Sequence, residues 1–229
     1  MQLVIFGMKA IILAGGFGTR LAHISGDKPK PLVEVGGKAI LERNIEFLLK
    51  NGINDIRLSL HHKADKIIEF CNARFGTGTI EYVIEEKPLG TGGGIKFASR
   101  DLKEIFFVLN ADTLSDINIS NFLLQKAPAI ACAYLPDARD FGLVEIQKGK
   151  ASAFVEKPKN GGPGYINAGY YLLTPGAFNH VTQESFMIEQ EVFPYLAKRG
   201  ELNAFIHNGY WTDVGTEERF MQANAYHSL

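Results

Sequence analysis

Two unbroken apolar runs constrain this chain most: Lys9–Leu13 (KAIIL) and Ile105–Leu109 (IFFVL). A strand with one wet face alternates apolar and polar residues, whereas a strand that is apolar throughout has to be covered on both faces. Such strands belong to parallel sheets with helices packed on either side. The segments between them carry the matching helical pattern. Ala39–Asn51 places Ile40, Leu41, Ile45, Leu48 and Leu49 on one face and stops at Gly52. Lys63–Phe75 does the same with Ile67, Ile68 and Phe70. Strands are predicted at Asp55–Leu60 and Ile80–Ile84, and a helix at Gly92–Leu102.

The second half is built differently. Short strands are predicted at Ala129–Leu135, Gly142–Ile146, Ala151–Val155 and Ile166–Leu173, with a hairpin marked by Gly149. Helices follow at Ile188–Arg199 and Thr216–Tyr226, with a strand at Leu202–His207 between them. The expected fold is α/β: a three-layer sandwich with a mostly parallel central sheet and a small antiparallel part. Residues 1–8 read as an N-terminal extension, in which Met8 is an alternative start. Residues 9–229 read as one domain, divided near residue 115 into an N-terminal and a C-terminal part.

The 229 residues are 46% hydrophobic with a formal net charge of −1, so no basic field favours nucleic acid or an anionic membrane. Cys71 and Cys132 lie far apart in apolar stretches and read as buried, reduced thiols of a cytoplasmic protein. No apolar run reaches the length of a membrane span, and Met1–Gly7 is too short and uncharged for a signal peptide. Association into a homo-oligomer is left open.

After the first apolar run comes Gly15-Gly16-Phe17-Gly18-Thr19, then Arg20, and then Lys30 between two prolines. Glycines let backbone N–H groups crowd an anion, and Arg20 and Lys30 add fixed positive charge where phosphates would lie. The third glycine of a dinucleotide fingerprint is missing, since Leu21 stands there, and no GxxxxGK[ST] string occurs. A plain turn accounts for two glycines, but not for three with these cations. The pattern favours a nucleoside triphosphate.

Asp112 follows the IFFVL run, where ligands of open α/β sheets sit. It is suited to Mg²⁺, and equally to capping a following helix. Asp213 lies in Trp211-Thr212-Asp213-Val214-Gly215-Thr216, and the two aspartates suggest a two-carboxylate metal site that sequence distance cannot prove. Lys157, in Glu156-Lys157-Pro158, is either a solvated turn residue or the partner of a second phosphate. Asn167 either bonds a sugar hydroxyl or satisfies its own strand. The segment Glu85–Gly94 is a second glycine-rich loop. A carboxylate there, Glu85 or Glu86, suits the adjacent donors of guanine. The histidines show no zinc spacing and no hydrolytic triad is evident.

Together these residues resemble the sugar-1-phosphate nucleotidylyltransferases. LAGG-x-GTRL is Leu13–Leu21, PKPL is Pro29–Leu32, EKP is Glu156–Pro158, NAG is Asn167–Gly169 and W-x-D-x-GT is Trp211–Thr216, in the family's order. One departure is His23 and Ser25, where family members often carry Pro and Thr. The loop PLGTGG, with NADT and Ser185–Glu189, is similar to the D-glycero-D-manno-heptose 1-phosphate guanylyltransferase branch. Mannose-1-phosphate guanylyltransferases and uridylyl- or thymidylyltransferases are the alternatives.

The resemblance implies a Rossmann-like nucleotide-diphospho-sugar transferase fold. It also implies transfer of a nucleoside monophosphate from an NTP, with GTP favoured, to a sugar 1-phosphate, releasing pyrophosphate with Mg²⁺ as cofactor. Arg20, Lys30, Asp112, Lys157 and Asp213 become the catalytic set, Asp112 and Asp213 holding the metal. Leu13, Ala14, Gly15, Gly16, Gly18, Thr19, Glu85, Pro88, Gly90 and Thr91 become the nucleotide contacts. Gly142, Glu156, Lys157 and Asn167 become the sugar-phosphate contacts. A nucleotide-sugar glycosyltransferase is disfavoured because Asp112-Thr113-Leu114 is no DxD pair. A non-catalytic nucleotide-sugar sensor should have lost some of these charged residues, and all are present.

Overall fold

In the computed structural model, residues 7–228 are described, so most of the supposed extension, residues 1–6, lies outside them. In chain order the elements are β1 (Lys9–Leu13), α1 (Ala22–Ser25), β2 (Glu34–Val35), β3 (Lys38–Ala39), α2 (Ile40–Lys50), β4 (Asp55–Leu60), α3 (Ala64–Phe75), β5 (Ile80–Ile84), α4 (Gly90–Ala98), β6 (Phe106–Asn110) and β7 (Thr113–Ser115). They continue as α5 (Ile119–Phe122), β8 (Ala129–Leu135), β9 (Gly142–Gln147), β10 (Lys150–Glu156), β11 (Gly164–Leu173), α6 (Ile188–Glu191), α7 (Phe193–Lys198), β12 (Asn203–His207), β13 (Trp211–Asp213) and α8 (Glu217–His227).

The chain folds into two compact units, and their division is not the linear one expected. Unit 1 gathers residues up to Pro88 with Leu109–Asp116 and the C-terminal Tyr210–Leu229; unit 2 gathers Leu89–Val108 with Ile117–Gly209. Burial explains why the C-terminus joins the N-terminus. Val214 and Ala223 pack in one apolar cluster with Leu21, Val33, Val35, Ile40 and Leu114. Val214 and α8 would leave this cluster open if they belonged elsewhere.

In unit 1, β1 pairs in parallel with β4, and β4 with β5. Ile11 and Ile12 are fully buried, as the first apolar run requires, and so are Leu58 and Leu60 of β4. β7 and β13 form a separate antiparallel ribbon with Thr113 opposite Asp213. In unit 2 the strand order is β11-β8-β12-β10-β9, antiparallel except for the parallel β8–β12 pair. The α/β reading holds, with an antiparallel part larger than expected. Tyr171 packs on Phe193 (ring centroids 4.9 Å) and Phe107 on Phe122 (6.0 Å) in the core of this unit.

Two helices differ from expectation. The helix expected over Ile188–Arg199 is broken after Glu191, because Pro194 opens the first turn of α7 and has no N–H to continue α6. α4 begins at Gly90 rather than Gly92 and ends at Ala98. Among the described residues no helix is long and apolar enough to cross a membrane.

Candidate active site

Backbone bonds fix the end of β6 where Asp112 emerges. The Ala111 N–H donates to Leu13 O (3.1 Å), and the Val214 N–H donates to Asp112 O (2.8 Å). Buried Asn44, on the inner face of α2, donates its amide to Ala111 O at 3.0 Å. No helix follows Asp112, so the capping alternative falls; β7 follows, and its pairing with β13 brings Asp213 beside Asp112. A three-residue strand register thus joins two acids about a hundred positions apart in sequence.

Charge follows the geometry. Lys30 Nζ lies 2.5 Å from Asp112 Oδ2, with the lysine side chain 14% exposed and the aspartate 34%. Gly18 makes this approach possible: its φ is +63°, and a Cβ there would lie 2.7 Å from Lys30 Cβ. Burial opposes ionisation of Asp112, but the Lys30 ammonium, aided by Arg20, outweighs it and holds the carboxyl below its usual range. Asp213 goes the other way: burial first, then the neighbouring Asp112 charge, push it up to about 6 against the pull of Arg219, Lys30 and Arg20. Arg219 Nε sits 2.6 Å from Asp213 Oδ1. Arg219 is brought there by α8, whose N-cap Thr216 accepts the Arg219 N–H.

Two neighbouring carboxylates, Asp112 partly open to solvent and Asp213 more enclosed and reluctant to ionise, are a donor set that suits a hard divalent cation. Among the described residues no cluster of three or more His, Cys, Asp or Glu could hold a metal. A metal on Asp112 and Asp213 would therefore complete its shell with water or phosphate oxygens, which is the preference of Mg²⁺.

The second glycine-rich loop divides between the units. In unit 1, Glu85 is buried at the end of β5, its Oε1 accepting from Ser59 Oγ at 3.0 Å and its carbonyl meeting His61 Nδ1 at 2.9 Å. Glu86 and Pro88 are exposed. In unit 2, Gly90 and Thr91 open α4, where Thr91 Oγ1 donates to Glu189 Oε2 at 2.5 Å and accepts from the Ile188 N–H at 3.1 Å. The Thr91 side chain is thus engaged by protein.

The remaining candidates also lie in unit 2. Gly142 opens β9 opposite Glu156 at the end of β10. A Cβ at Gly142 would meet the Phe154 ring at 2.4 Å and Glu156 Oε2 at 2.9 Å. Glu156 Oε2 is buried without a hydrogen-bond partner among the described residues, and burial raises this carboxyl despite Lys157. Lys157 is mostly exposed and has a left-handed backbone, φ +46°, held by its N–H bond to Phe141 O. Asn167 accepts from the Gly169 N–H at 2.9 Å and donates to Tyr171 Oη at 3.0 Å, within the β11 irregularity. Both bonds are made within β11 itself. Asn44, Arg219 and Glu189 escaped the sequence reading. Glu189 stood in the quoted Ser185–Glu189 segment without a role, and Arg219 lies three positions after the cap Thr216.

The description "Nucleotidyl transferase" fits residues 9–228. A D-glycero-alpha-D-manno-heptose 1-phosphate guanylyltransferase of Campylobacter jejuni is 36% identical, over 97% of this chain and 99% of its own length. A mannose-1-phosphate guanyltransferase of Aspergillus oryzae is 34% identical over 93% of this chain, which spans only 62% of that relative. Among solved structures, HddC from Yersinia pseudotuberculosis complexed with GMP-PN superposes with a TM-score of 0.82 at 33% identity, covering 96% of this chain and 99% of its own. On this likeness of sequence and fold, the chain belongs to the nucleotidyl transferase family.

Proposed function

We propose that this chain transfers GMP from GTP to the phosphate of a sugar 1-phosphate, releasing pyrophosphate. The observation that carries the reading is the cluster in unit 1 of two cations, Arg20 and Lys30, with two acids, Asp112 and Asp213, beside the glycine-rich turn. The relative from Campylobacter jejuni, matched over nearly its whole length, supports guanine and D-glycero-α-D-manno-heptose 1-phosphate. Mannose 1-phosphate is the second reading, favoured by the fungal relatives.

A phosphate monoester has a second pKa of about 6 and is largely dianionic at neutral pH, so its attack on the α-phosphorus needs no general base. Positioning and charge neutralisation then carry the rate. Arg20 neutralises the departing pyrophosphate, and Lys30 the triphosphate. Amides of the Gly15–Thr19 turn donate to phosphate oxygens. Lys157 holds the incoming sugar phosphate, and the unpartnered Glu156 Oε2 accepts from a sugar hydroxyl. Magnesium, held by Asp112 and Asp213, supplies further neutralisation of phosphate charge when bound. A nucleoside triphosphate and a sugar phosphate as substrates support a cytoplasmic reaction.

The test is pyrophosphate release from each of four NTPs against a panel of hexose and heptose 1-phosphates. GTP with the heptose phosphate should turn over fastest. A preference for UTP or dTTP would overturn the guanylyl assignment, and a preference for mannose 1-phosphate would select the second reading. Asp112→Asn and Arg20→Ala should each lower kcat roughly 100-fold, the scale of losing one preorganised charge partner. Near-wild-type turnover would remove that residue from the reaction.

A further inference from the structure

The first turn of α4 is Gly90-Thr91-Gly92-Gly93-Gly94. Glycine is among the weakest helix formers, and Leu89 at the N-cap offers no side-chain hydrogen bond. Something outside the helix has to fix this turn. The Gly92 and Gly93 N–H groups donate to Phe186 O at 3.0 and 3.1 Å, and the Phe186 N–H donates to Leu89 O at 2.9 Å. The glycines admit this contact: a Cβ on Gly92 would lie 2.2 Å from the Phe186 ring, and one on Gly93 2.3 Å from Glu184 O. The close approach on these faces is therefore to protein.

Thr91 is the one residue of the turn with a functional side chain, and its hydroxyl closes a circuit to Glu189 Oε2 and the Ile188 N–H. Glu189 is buried, 9% exposed, with Glu156 and Lys157 as its charged neighbours. Burying an acid is costly when a neutral acceptor would satisfy a hydroxyl. An ionised carboxylate gives the hydroxyl a shorter and stronger bond than a neutral acceptor would.

We propose that Glu189 is a positioning residue for the reaction, holding the Leu89–Gly92 backbone through Thr91 in the conformation that nucleotide binding requires. This rests on the assignment of Gly90 and Thr91 to the nucleotide. Glu189 touches neither substrate in this scheme; its influence passes through one hydroxyl.

A double-mutant cycle decides it. Wild type, Glu189→Leu, Thr91→Val and the double variant are compared for the Kd of a fluorescent GTP analogue and for KM of GTP and of the sugar phosphate. Each single variant should weaken nucleotide binding about 10-fold, and the double should be no weaker than the poorer single. The sugar-phosphate KM should stay within about 2-fold, and Thr91→Ser, which keeps the hydroxyl, should recover most of the affinity that Thr91→Val loses. Additive losses, or a sugar-phosphate KM that rises in Glu189→Leu with GTP binding unchanged, would overturn the proposal. Should Glu189→Leu not fold, Glu189→Gln replaces it in the cycle, with a smaller loss that Thr91→Val must again absorb. If the wild-type chain itself neither binds the analogue nor releases pyrophosphate from any pair, the proposed function fails. An active wild type with an additive cycle fails this inference alone.

Discussion

At the scale of single residues, Lys157 carries the sharpest conflict between backbone and function. Its φ of +46° is the left-handed region, which costs an L-residue roughly 1–2 kcal/mol and a glycine almost nothing. Pro158 follows it, and the Lys157 N–H is tied to Phe141 O, so the turn imposes the conformation on whatever residue stands there. A strained lysine at the end of β10 is explained if its ammonium group is used. Lys157→Gly and Lys157→Ala should therefore part company. Both should raise the KM for the sugar phosphate, since both lose the charge. Only the glycine variant should gain stability, by up to about 1 kcal/mol, read from its urea midpoint. Equal midpoints for the two would show that the turn stores no strain, and an unchanged KM in either would take Lys157 out of phosphate binding.

At the scale of elements, the β7–β13 ribbon builds the acid pair. Leu114, at the middle of β7, faces the cluster of Leu21, Val33, Ile40 and Val214 and is 4% exposed. Leu114→Ala should cost about 2–5 kcal/mol and loosen the register that sets Thr113 opposite Asp213. Beyond the lower urea midpoint, the variant should need more magnesium for half-maximal rate. A stability loss without that shift would mean the ribbon does not govern the metal site. This ribbon also marks where sequence reading ends. The ends of β4, β5 and β8 were legible to the residue, because β-branched and apolar residues cluster there between turn-forming borders: Gly52 before β4, Gly76 and Gly78 before β5, Pro128 and Pro136 around β8. The charged residues were legible because each stands in a compact motif. The three-residue strands were not, since Thr113–Ser115 carries no period and exists only through its pairing. Asn44 and Glu189 were hidden for a related reason: their partners, Ala111 O and Thr91 Oγ1, are remote in sequence. Pro194 did announce the break between α6 and α7, and the apolar spacing around it masked the signal.

For the whole molecule, the chain passes between its two units four times, so neither unit is a continuous piece of sequence. β6 is divided too: Phe106–Val108 belong to unit 2 and Leu109–Asn110 to unit 1, and its four apolar residues are fully buried. Because neither unit is a continuous piece of chain, a single unfolding transition is expected. Each contains one buried cysteine, which makes the claim measurable: Cys71 lies in unit 1 and Cys132 in unit 2. Burial pushes the Cys71 thiol up to about 12 and raises that of Cys132 as well, so neither should react with a thiol reagent at pH 8 in the folded chain. With urea, labelling of single-cysteine variants should appear at one common midpoint; two midpoints would mean two independent units. The same thiols set an alkaline limit. Once unfolded they ionise near pH 8.5, whereas in the folded chain they stay protonated well beyond it. The unfolded state thus binds fewer protons above that pH, and stability falls as pH rises, by up to ~1.4 kcal/mol per pH unit for each thiol. Between pH 9 and 10, Cys71→Ala/Cys132→Ala should lose distinctly less stability than wild type, although it starts lower at pH 7. Parallel pH curves for the two proteins would show that the thiols are ionised or exposed in the folded state, against the burial that defines both cores.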